Sequence, residues 1–511
     1  MFALSLPHKH QSMPAKGSDD LFRLIKALSP AEKGYFKKFA DRYSFSEKDN
    51  NYLKLFELIE AQETYDEKLL VKEKFINQLP RQKNYLQNLI LKSIQMYDSE
   101  SNVTVELENS IQQVRALIRR GQYDLAAKVL QKAKKEALAE ECFPEALKLV
   151  KFENYLNKRS GMDKDFETEK LNYAERYSLY EKEKNFDEIQ ELEQQVIMFK
   201  RNPYSKNTLI KNKLLSGNAT LLSQKAKTTY YNTLSHYYGF IRQYEKQYLY
   251  AKEHLQLKKT DYNSFTGVSV FMSSYINFFF ACYNNRRYKE CNDVITELMR
   301  IVEKNEKEHE RRERNFLIMK TQLFIGTGKL EQGLAFITDK LNMKSGNEEL
   351  VTTRMDTEIK RNLVLICFAN KKYKECLKLV DALLSPETKD YSNAFYYQAL
   401  LLNILIHYEL GNKETAEHLI VSARRTFKSN NRYRPLEEIM LTVLKKQLAS
   451  ESAPNFAEAI QQLSKANDED DLHFSIHSFC LAWLESKLNG TSLPETIRIK
   501  AKKDAGKYYW N

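Results

Sequence analysis

Paired cysteines are the residues whose type and spacing first suggest chemistry. Cys282 and Cys291 stand nine residues apart, and so do Cys367 and Cys376. A short turn between antiparallel helices would bring the two thiols of a pair together, so a redox disulfide or metal binding is conceivable. Cysteine is also small and readily buried, and packing between helices is therefore the favoured interpretation.

Two other clusters resemble functional sites but lack essential parts. His473, His477 and Cys480 are spaced so that three soft ligands would share one helix face, yet no fourth ligand group follows. Gly326–Lys329 contains the GK of a phosphate loop without its GxxxxGK[ST] spacing, and a helix turn explains it better. HExxH, nucleophile-elbow and dinucleotide motifs do not occur. We therefore predict no enzyme, no metal and no cofactor.

Basic residues recur at the turns between predicted helices. The main candidates for partner binding are Arg119, Arg120, Arg286, Arg287, Lys371 and Lys372, with Arg242 and Lys329 in similar places. Stacked units would align these turns along one edge and produce a positive ribbon. The alternative needs no partner, because a cation near the carboxyl end of a helix is stabilising by about 0.3 to 1 kcal/mol.

The elements that carry these residues are repeated. Phe278–Met299 reads FFFACYNNRRYKECNDVITELM, and Leu363–Leu384 reads LVLICFANKKYKECLKLVDALL. Tyr288 and Cys291 in the first copy correspond to Tyr373 and Cys376 in the second, and we interpret all four as structural positions of a helical repeat. The clearest further unit is ALIRRGQYDLAAKVLQKAKKEA, Ala116–Ala137. It contains three further structural positions of the repeat, and the unit around Lys413 contains two. These are Gly121, Tyr123, Ala126, Gly411 and Ala416.

This pattern resembles the tetratricopeptide repeat at the turn between its two helices. Glycine ends the first helix as a left-handed cap, an aromatic packs after the turn, and alanine allows close approach. Anchors at Tyr244, Tyr288, Leu330, Tyr373 and Lys413 are 40 to 44 residues apart, longer than the family's period of about 34. Phe166 and Tyr204 are weaker anchors. The opening LIKALSPAEKGYFKKFA also resembles uncharacterised bacterial proteins of this type, a resemblance that implies no activity.

The composition agrees with an all-α protein. Only 14 Gly and 10 Pro occur in 511 residues, whereas 31 Tyr and 27 Phe provide large side chains for an extended core. The dense run from Tyr230 to Tyr250 suits a core, although tyrosines exposed on a concave face would suit peptide binding. We predict an α-solenoid of stacked, tetratricopeptide-like helical hairpins with 40 to 44 residues per unit.

Four segments are predicted. Residues 1–20 form an irregular amino terminus, 21–102 a helical bundle, 103–450 the repeat array and 451–511 a helical cap. The bundle contains a capping box, Ser29-Pro30-Ala31-Glu32, and further helices expected from Asp49, over Asp66–Leu79 and from Pro80.

The charge balance and the absence of special segments limit the function. The 80 basic and 68 acidic residues are interleaved, and the net charge of +12 permits nucleic acid without demanding it. Six cysteines without a CxxC pair indicate a reducing compartment. Neither a secretory signal nor an apolar run long enough to span a bilayer occurs, so we expect a soluble, cytoplasmic protein without a membrane partner.

The function that this architecture favours is a non-catalytic scaffold that presents a concave helical surface to a protein or peptide. The resemblance to tetratricopeptide proteins implies this role, since helical solenoids host many functions. The alternative is a nucleic-acid or ribonucleoprotein-associated factor that uses the basic edge. A third hypothesis is an enzyme whose site no motif reveals.

Overall fold

The protein is helical throughout the residues that its computed structural model describes. These residues are 19–43, 50–98, 103–159, 166–201, 212–216, 219–260, 268–302, 306–340, 357–385, 394–430, 433–449, 456–465 and 476–505. Within them the regular elements are α-helices and one 3-10 turn, Lys213–Ser216, and no strand occurs. The predicted all-α class is confirmed.

The chain divides into two compact units, Met1–Tyr180 and Glu181–Asn511, which we name the N-terminal and C-terminal units. The helices of the N-terminal unit are α1 (Asp20–Ala27), α2 (Pro30–Tyr43), α3 (Asn50–Ala61), α4 (Glu67–Val71), α5 (Leu79–Asp98), α6 (Val103–Arg119), α7 (Tyr123–Ala139), α8 (Phe143–Arg159) and the first half of α9 (Phe166–Arg201). One apolar core lies among α1–α5, and a second lies among α6–α8 with Leu179 of α9.

The bundle begins as the sequence predicts, with one difference. The Ser29 backbone amide donates to Glu32 Oε2 at 2.6 Å and the Glu32 amide donates to Ser29 Oγ at 3.3 Å, which confirms the capping box. The helix expected over Asp66–Leu79 is shorter, because α4 ends at Val71 and a non-helical stretch precedes α5. Residues 1–18 lie outside the described residues.

The C-terminal unit contains the rest of α9 and consecutive helical hairpins. Its further helices are α10 (Gln224–Phe240), α11 (Tyr244–Thr260), α12 (Val268–Asn284), α13 (Tyr288–Leu298), α14 (Glu306–Thr327), α15 (Leu330–Lys340), α16 (Thr357–Ala369), α17 (Tyr373–Leu384), α18 (Ala394–Glu409), α19 (Lys413–Ser429), α20 (Pro435–Ala449), α21 (Phe456–Lys465), α22 (Ile476–Asn489) and α23 (Leu493–Ala505). Each helix packs mainly on its neighbours in sequence, and first helices of successive hairpins also touch. This arrangement is that of a helical solenoid.

The hairpin turns share one backbone geometry. A residue with φ between 51° and 73° occurs at Gly121, Glu141, Arg242, Arg286, Gly328, Lys371, Gly411 and Gly490. At all eight turns the next amide donates to the carbonyl five residues earlier, with N···O distances of 2.8 to 3.1 Å. This is the Schellman bond that ends a helix with a left-handed residue. Gly121 and Gly411 are confirmed as caps, and Arg286 and Lys371 occupy the same position without being glycine.

At seven of these eight turns a buried residue follows the left-handed residue by five positions, and in six of the seven it is Ala, Cys or Gly. The residues there are Ala126, Ala146, Gln247, Cys291, Gly333, Cys376 and Ala416. After Gly490 the equivalent position is the exposed Glu495. Gln247 is the large exception, and a Cβ on Gly239 would lie 2.8 Å from its Nε2 atom. A glycine in the facing helix therefore makes room for the larger side chain.

Asparagines join consecutive hairpins near their turns. Asn285 Nδ2 donates to the Tyr244 carbonyl at 2.6 Å, and Asn370 Nδ2 donates to the Leu330 carbonyl at 3.0 Å. Both asparagines directly precede a left-handed residue, and both acceptors begin the second helix of the preceding hairpin. The repeat therefore has its own inter-unit hydrogen bond, 40 or 41 residues in span.

A second inter-unit contact joins the first helices. Ser235 Oγ donates to Asn277 Oδ1 at 3.2 Å, and Asn362 Nδ2 donates to Thr321 Oγ1 at 3.0 Å. Each hydroxyl lies seven residues, and each asparagine nine residues, before the left-handed residue of its hairpin. Equivalent positions of two hairpin pairs are thus hydrogen-bonded between the first helices, with the hydroxyl as donor in one pair and as acceptor in the other.

Candidate interaction surface

The paired cysteines are packing residues in the structure. Cys282, Cys291, Cys367 and Cys376 are all buried and none is in a disulfide. Each second cysteine donates its thiol to the first helix of its own hairpin, Cys291 to the Phe279 carbonyl at 3.8 Å and Cys376 to the Val364 carbonyl at 3.6 Å. Burial raises the thiol pKa of Cys282, Cys291 and Cys376. Protonated, enclosed thiols are poor nucleophiles and poor metal ligands.

The histidine cluster has no metal-binding geometry among the residues that can be placed. His477 Nε2 lies 2.9 Å from the Leu463 carbonyl oxygen, and Cys480 is buried in the core. His473 lies outside the described residues. In the part of the chain that the structure describes, no group of three or more His, Cys, Asp or Glu side chains could hold a metal ion.

The glycines of the phosphate-loop-like stretch serve close packing. A Cβ at Gly326 would lie against the Tyr283 hydroxyl, and a Cβ at Gly328 would lie 2.6 Å from the Arg498 amide nitrogen. Lys329 follows the left-handed Gly328 and its amide donates to the Phe324 carbonyl at 3.0 Å. The interpretation as a helix turn is confirmed.

The dense tyrosines of α10 and α11 belong mainly to the core. Tyr230, Tyr237, Tyr238 and Tyr248 are buried. The hydroxyls of Tyr230 and Tyr238 donate to the carbonyls of the 3-10 turn. These rings therefore have packing roles, as the sequence favoured.

The basic turn residues of the N-terminal unit are exposed. Arg119 and Arg120 are the last residue of α6 and the residue after it. Arg120 Nη1 donates to the Ala116 carbonyl at 3.0 Å, the local contact expected of a cation at a helix carboxyl end. Their role in partner binding stays a prediction.

Arg286 and Arg287 are both engaged within the chain. Arg286 Nη1 donates to the Tyr288 hydroxyl at 3.2 Å. The Arg287 guanidinium lies 4.1 Å from the Tyr248 ring centre and pairs with Glu290 at 3.2 Å. Although burial opposes it, Glu290 raises the pKa of Arg287. Part of the predicted ribbon is therefore already neutralised by an intramolecular carboxylate.

Lys371 and Lys372 form the equivalent turn between α16 and α17, and both are exposed. Lys371 has the left-handed φ of 60°, and Lys372 precedes the first residue of α17. Lys329 occupies the same place as Lys372 at the turn between α14 and α15. The structure puts these cations at equivalent turns, and binding through a continuous ribbon stays a prediction.

Exposed tyrosines on α8 and α9 form the largest aromatic feature that the sequence reasoning missed. Tyr155, Tyr173, Tyr177 and Tyr180 are 40%, 43%, 66% and 43% exposed, and we name them the tyrosine surface. Tyr173, Tyr177 and Tyr180 lie within α9 at intervals of four and three residues, so they share one helix face. Large exposed aromatics in such a group are typical of interaction sites.

Cations are interleaved with these rings. The Arg159 guanidinium lies 5.8 Å from the Tyr155 ring centre, and the Arg176 guanidinium lies 5.4 Å from the Tyr173 ring centre. Hydrogen bonds from Arg176 and, to a smaller extent, from Lys151 to the Tyr180 hydroxyl lower the pKa of Tyr180. The surface therefore combines flat apolar rings with positive charge.

A charged cluster beside this surface fixes α8 and α9 in place. Lys134 of α7 pairs with Glu153 of α8 at 2.7 Å and with Glu175 of α9 at 2.8 Å, and its side chain is mostly buried. These two carboxylates raise the pKa of Lys134 against the effect of burial. Glu153 and Glu175 are thus engaged by Lys134, and the exposed cations of the tyrosine surface are Arg159 and Lys151.

The last two helices lie against earlier first helices of the C-terminal unit. Phe479 of α22 packs on Phe368 of α16 with ring centres 5.6 Å apart, and Trp483 packs on Tyr408 of α18 at 5.7 Å. Helix α23 packs on α14 and reaches the Gly328 turn. This part of the repeat surface is thus occupied by the chain itself.

No protein-family model, curated protein or solved structure matches this chain. No helix among the described residues is both long and apolar enough to cross a membrane.

Proposed function

We propose that the chain is a non-catalytic scaffold, a divergent tetratricopeptide-like repeat protein that binds a protein or peptide partner in the cytoplasm. The single observation that carries this proposal is the tyrosine surface of α8 and α9. Tyrosine and arginine are enriched among the interface residues whose substitution by alanine weakens protein complexes most. Here the tyrosines and Arg159 are exposed on helices that the ion pairs of Lys134 with Glu153 and Glu175 hold in place.

The occupied face of the C-terminal unit supports this location for the binding site. The sequence favoured a concave repeat surface, but α22 and α23 cover parts of α14, α16 and α18. A partner would have to displace the buried Trp483 to use that region. The tyrosine surface is already exposed and needs no such rearrangement.

The second candidate function is binding of single-stranded nucleic acid. The interleaving of Arg159 and Arg176 with Tyr155 and Tyr173 favours it, because bases stack on aromatic rings while cations neutralise phosphates. Such binding would weaken steeply as salt is added, whereas a protein interface dominated by aromatic burial would respond less.

Affinity capture from the native cell, with the full chain as bait, tests the proposal. Wild-type protein should retain partner proteins after nuclease treatment, and the double variant Tyr173→Ala/Tyr177→Ala should lose them. Tyr85→Ala is the matched control, because Tyr85 is an exposed tyrosine on a different helix, α5. Loss of every partner upon nuclease treatment would support the second candidate instead, and retention by the double variant would contradict the first.

A further inference from the structure

A cleft lies where the last helix meets the turn between α14 and α15. Its volume is about 470 Å³, within the range of about 300 to 1,000 Å³ typical of small-molecule sites. The side chains that matter for its chemistry are Tyr288, Thr327, Lys329, Glu331, Arg498 and Lys502. It is separate from the tyrosine surface, which belongs to the N-terminal unit.

The walls of the cleft are held by close packing. Gly328 has a φ of 69° and approaches the Arg498 backbone so closely that a Cβ would lie 2.6 Å from its nitrogen. Leu493 and Ile497 bury the inner face of α23, and Lys500 pairs with Glu485 of α22 at 2.6 Å. Helix α23 therefore presents Arg498 and Lys502 from a fixed position.

Three cations face the cleft and one carboxylate accompanies them. Lys329, Arg498 and Lys502 are exposed, and none forms an ion pair among the residues that the structure places. Other cations nearby differ, because Lys500 pairs with Glu485 and Arg287 with Glu290. The cleft is thus a local excess of unpaired positive charge, which favours an anion.

The neutral groups of the cleft restrict the anion further. The Tyr288 hydroxyl donates to the Gly326 carbonyl at 3.2 Å, and the Thr327 hydroxyl donates to the Leu323 carbonyl at 2.7 Å. The Tyr288 oxygen also accepts from Arg286 Nη1 at 3.2 Å, so its hydroxyl is engaged as donor and as acceptor. The Thr327 proton is engaged, and its oxygen can therefore only accept a hydrogen bond from a ligand. The Glu331 carboxylate is likewise an acceptor. A ligand that fits therefore needs an anionic group and also its own hydroxyl donors.

We propose that this cleft binds a small hydroxylated phosphate ester. The Arg498 fork and the Lys329 and Lys502 ammonium groups contact the phosphate oxygens, the geometry and charge that phosphate recognition uses. The ligand's hydroxyls donate to Thr327 or Glu331. Lys329, one of the turn cations that the sequence singled out, acquires here a defined partner.

Isothermal titration calorimetry on the full chain tests this assignment, with glycerol 3-phosphate as the probe. Inorganic phosphate, glycerol and sodium chloride at matched ionic strength are the comparison titrants. We expect saturable binding of glycerol 3-phosphate, weaker binding of phosphate, and none of glycerol or chloride. Lys329→Ala and Arg498→Ala should each weaken binding about tenfold or more, since a charge-assisted hydrogen bond contributes that much.

Lys503→Ala is the matched control, because Lys503 is an exposed lysine next to Lys502 on α23 and does not line the cleft. It should bind as wild type does. Circular dichroism reports whether Arg498→Ala folds. If it does not, Lys502→Ala removes a second cation of the cleft from the exposed side of α23 and should also weaken binding. Absence of saturable binding at millimolar probe, or equal weakening in Lys503→Ala, would overturn the assignment.

Discussion

The Trp483 indole donates a 2.7 Å hydrogen bond to the carboxylate of Glu409, a residue 74 positions earlier. Glu409 ends α18, and it also accepts from Tyr373 at 3.3 Å and pairs with Lys487 at 2.7 Å. One carboxylate therefore joins α17, α18 and α22. Helix α22 is therefore part of the repeat core.

Trp483→Ala should lower the free energy of unfolding of the C-terminal unit by about 3 to 5 kcal/mol, because it leaves a large cavity. Trp483→Phe keeps most of the ring but removes the donor to Glu409, and should cost about 1.5 to 3 kcal/mol. Urea unfolding followed by far-UV circular dichroism measures both changes. Unaltered stability of the two variants would show that α22 is not part of the cooperative core.

The left-handed turns predict a stabilising substitution. Lys371 has a φ of 60° where four of the eight turns have glycine, and a side chain in that conformation costs about 1 to 2 kcal/mol. Lys371→Gly should therefore raise the free energy of unfolding by about 0.5 to 1 kcal/mol after the entropy of glycine is included. Lys374→Gly, inside α17, is the control and should lower it. Thermal unfolding that ranks the two variants in the opposite order would refute the turn assignment.

The buried thiols should react slowly with thiol reagents. Burial raises the pKa of Cys282, Cys291 and Cys376 above the ordinary value of 9.0, so these groups stay protonated in the native state near neutral pH. Cys142 is partly exposed and should react first with a thiol reagent. Mass spectrometry of the labelled native protein should find modification of Cys142 well before the other three. Rapid labelling of all four would contradict the packing role.

His254 predicts a loss of stability in acid. Burial, with the positive neighbours Lys258 and His236, lowers the pKa of His254 to about 3 from its ordinary 6.5. Between these values the unfolded chain binds a proton that the native chain does not, so stability falls as pH decreases through this window. The contribution approaches about 1.4 kcal/mol per pH unit.

The non-titrating variant His254→Gln isolates this contribution. Urea titrations from pH 7 to pH 4 should give a shallower decline for His254→Gln than for wild type, whereas His418→Gln, at an exposed histidine that does not act on His254, should follow wild type. Parallel curves for wild type and His254→Gln would contradict the assignment of a buried neutral imidazole.

Local turn chemistry was readable in the sequence wherever glycine marks it. Gly121 and Gly411 are caps because only glycine adopts the left-handed conformation without strain. Arg286 and Lys371 were interpreted as partner-binding cations. Their left-handed backbone conformation was not predicted, because arginine and lysine do not favour a positive φ. The repeated Asn285 and Asn370 were a usable signal, since both precede the basic pair in the duplicated stretch.

The long-range contacts of α22 with earlier helices could not be predicted from the sequence. Phe479 and Trp483 have the apolar pattern that any terminal cap would show, and nothing local directs them to Phe368 and Glu409. The predicted segment boundaries at 102/103 and 450/451 stay predictions. The weak anchor Phe166 begins the 36-residue helix α9, and Tyr204 lies outside the described residues.

The tyrosine surface was missed because its periodicity also fits a buried stripe. Tyr173, Tyr177 and Tyr180 recur at helical spacing, which alone cannot distinguish a core face from an exposed one. Leu179, on the same helix, is the residue that enters the core. Once Leu179 faces inward, the geometry of the helix turns the three tyrosines toward solvent.

The affinity of a captured partner for the wild-type chain and for Tyr173→Ala/Tyr177→Ala tests the central claim most directly. Biolayer interferometry with purified partner and circular dichroism of both proteins would separate binding from folding. Loss of two aromatic contacts that each contribute more than about 1 kcal/mol should raise Kd at least about tenfold. Tyr85→Ala should leave Kd unchanged. Equal Kd values for wild type and the double variant would contradict binding through the tyrosine surface.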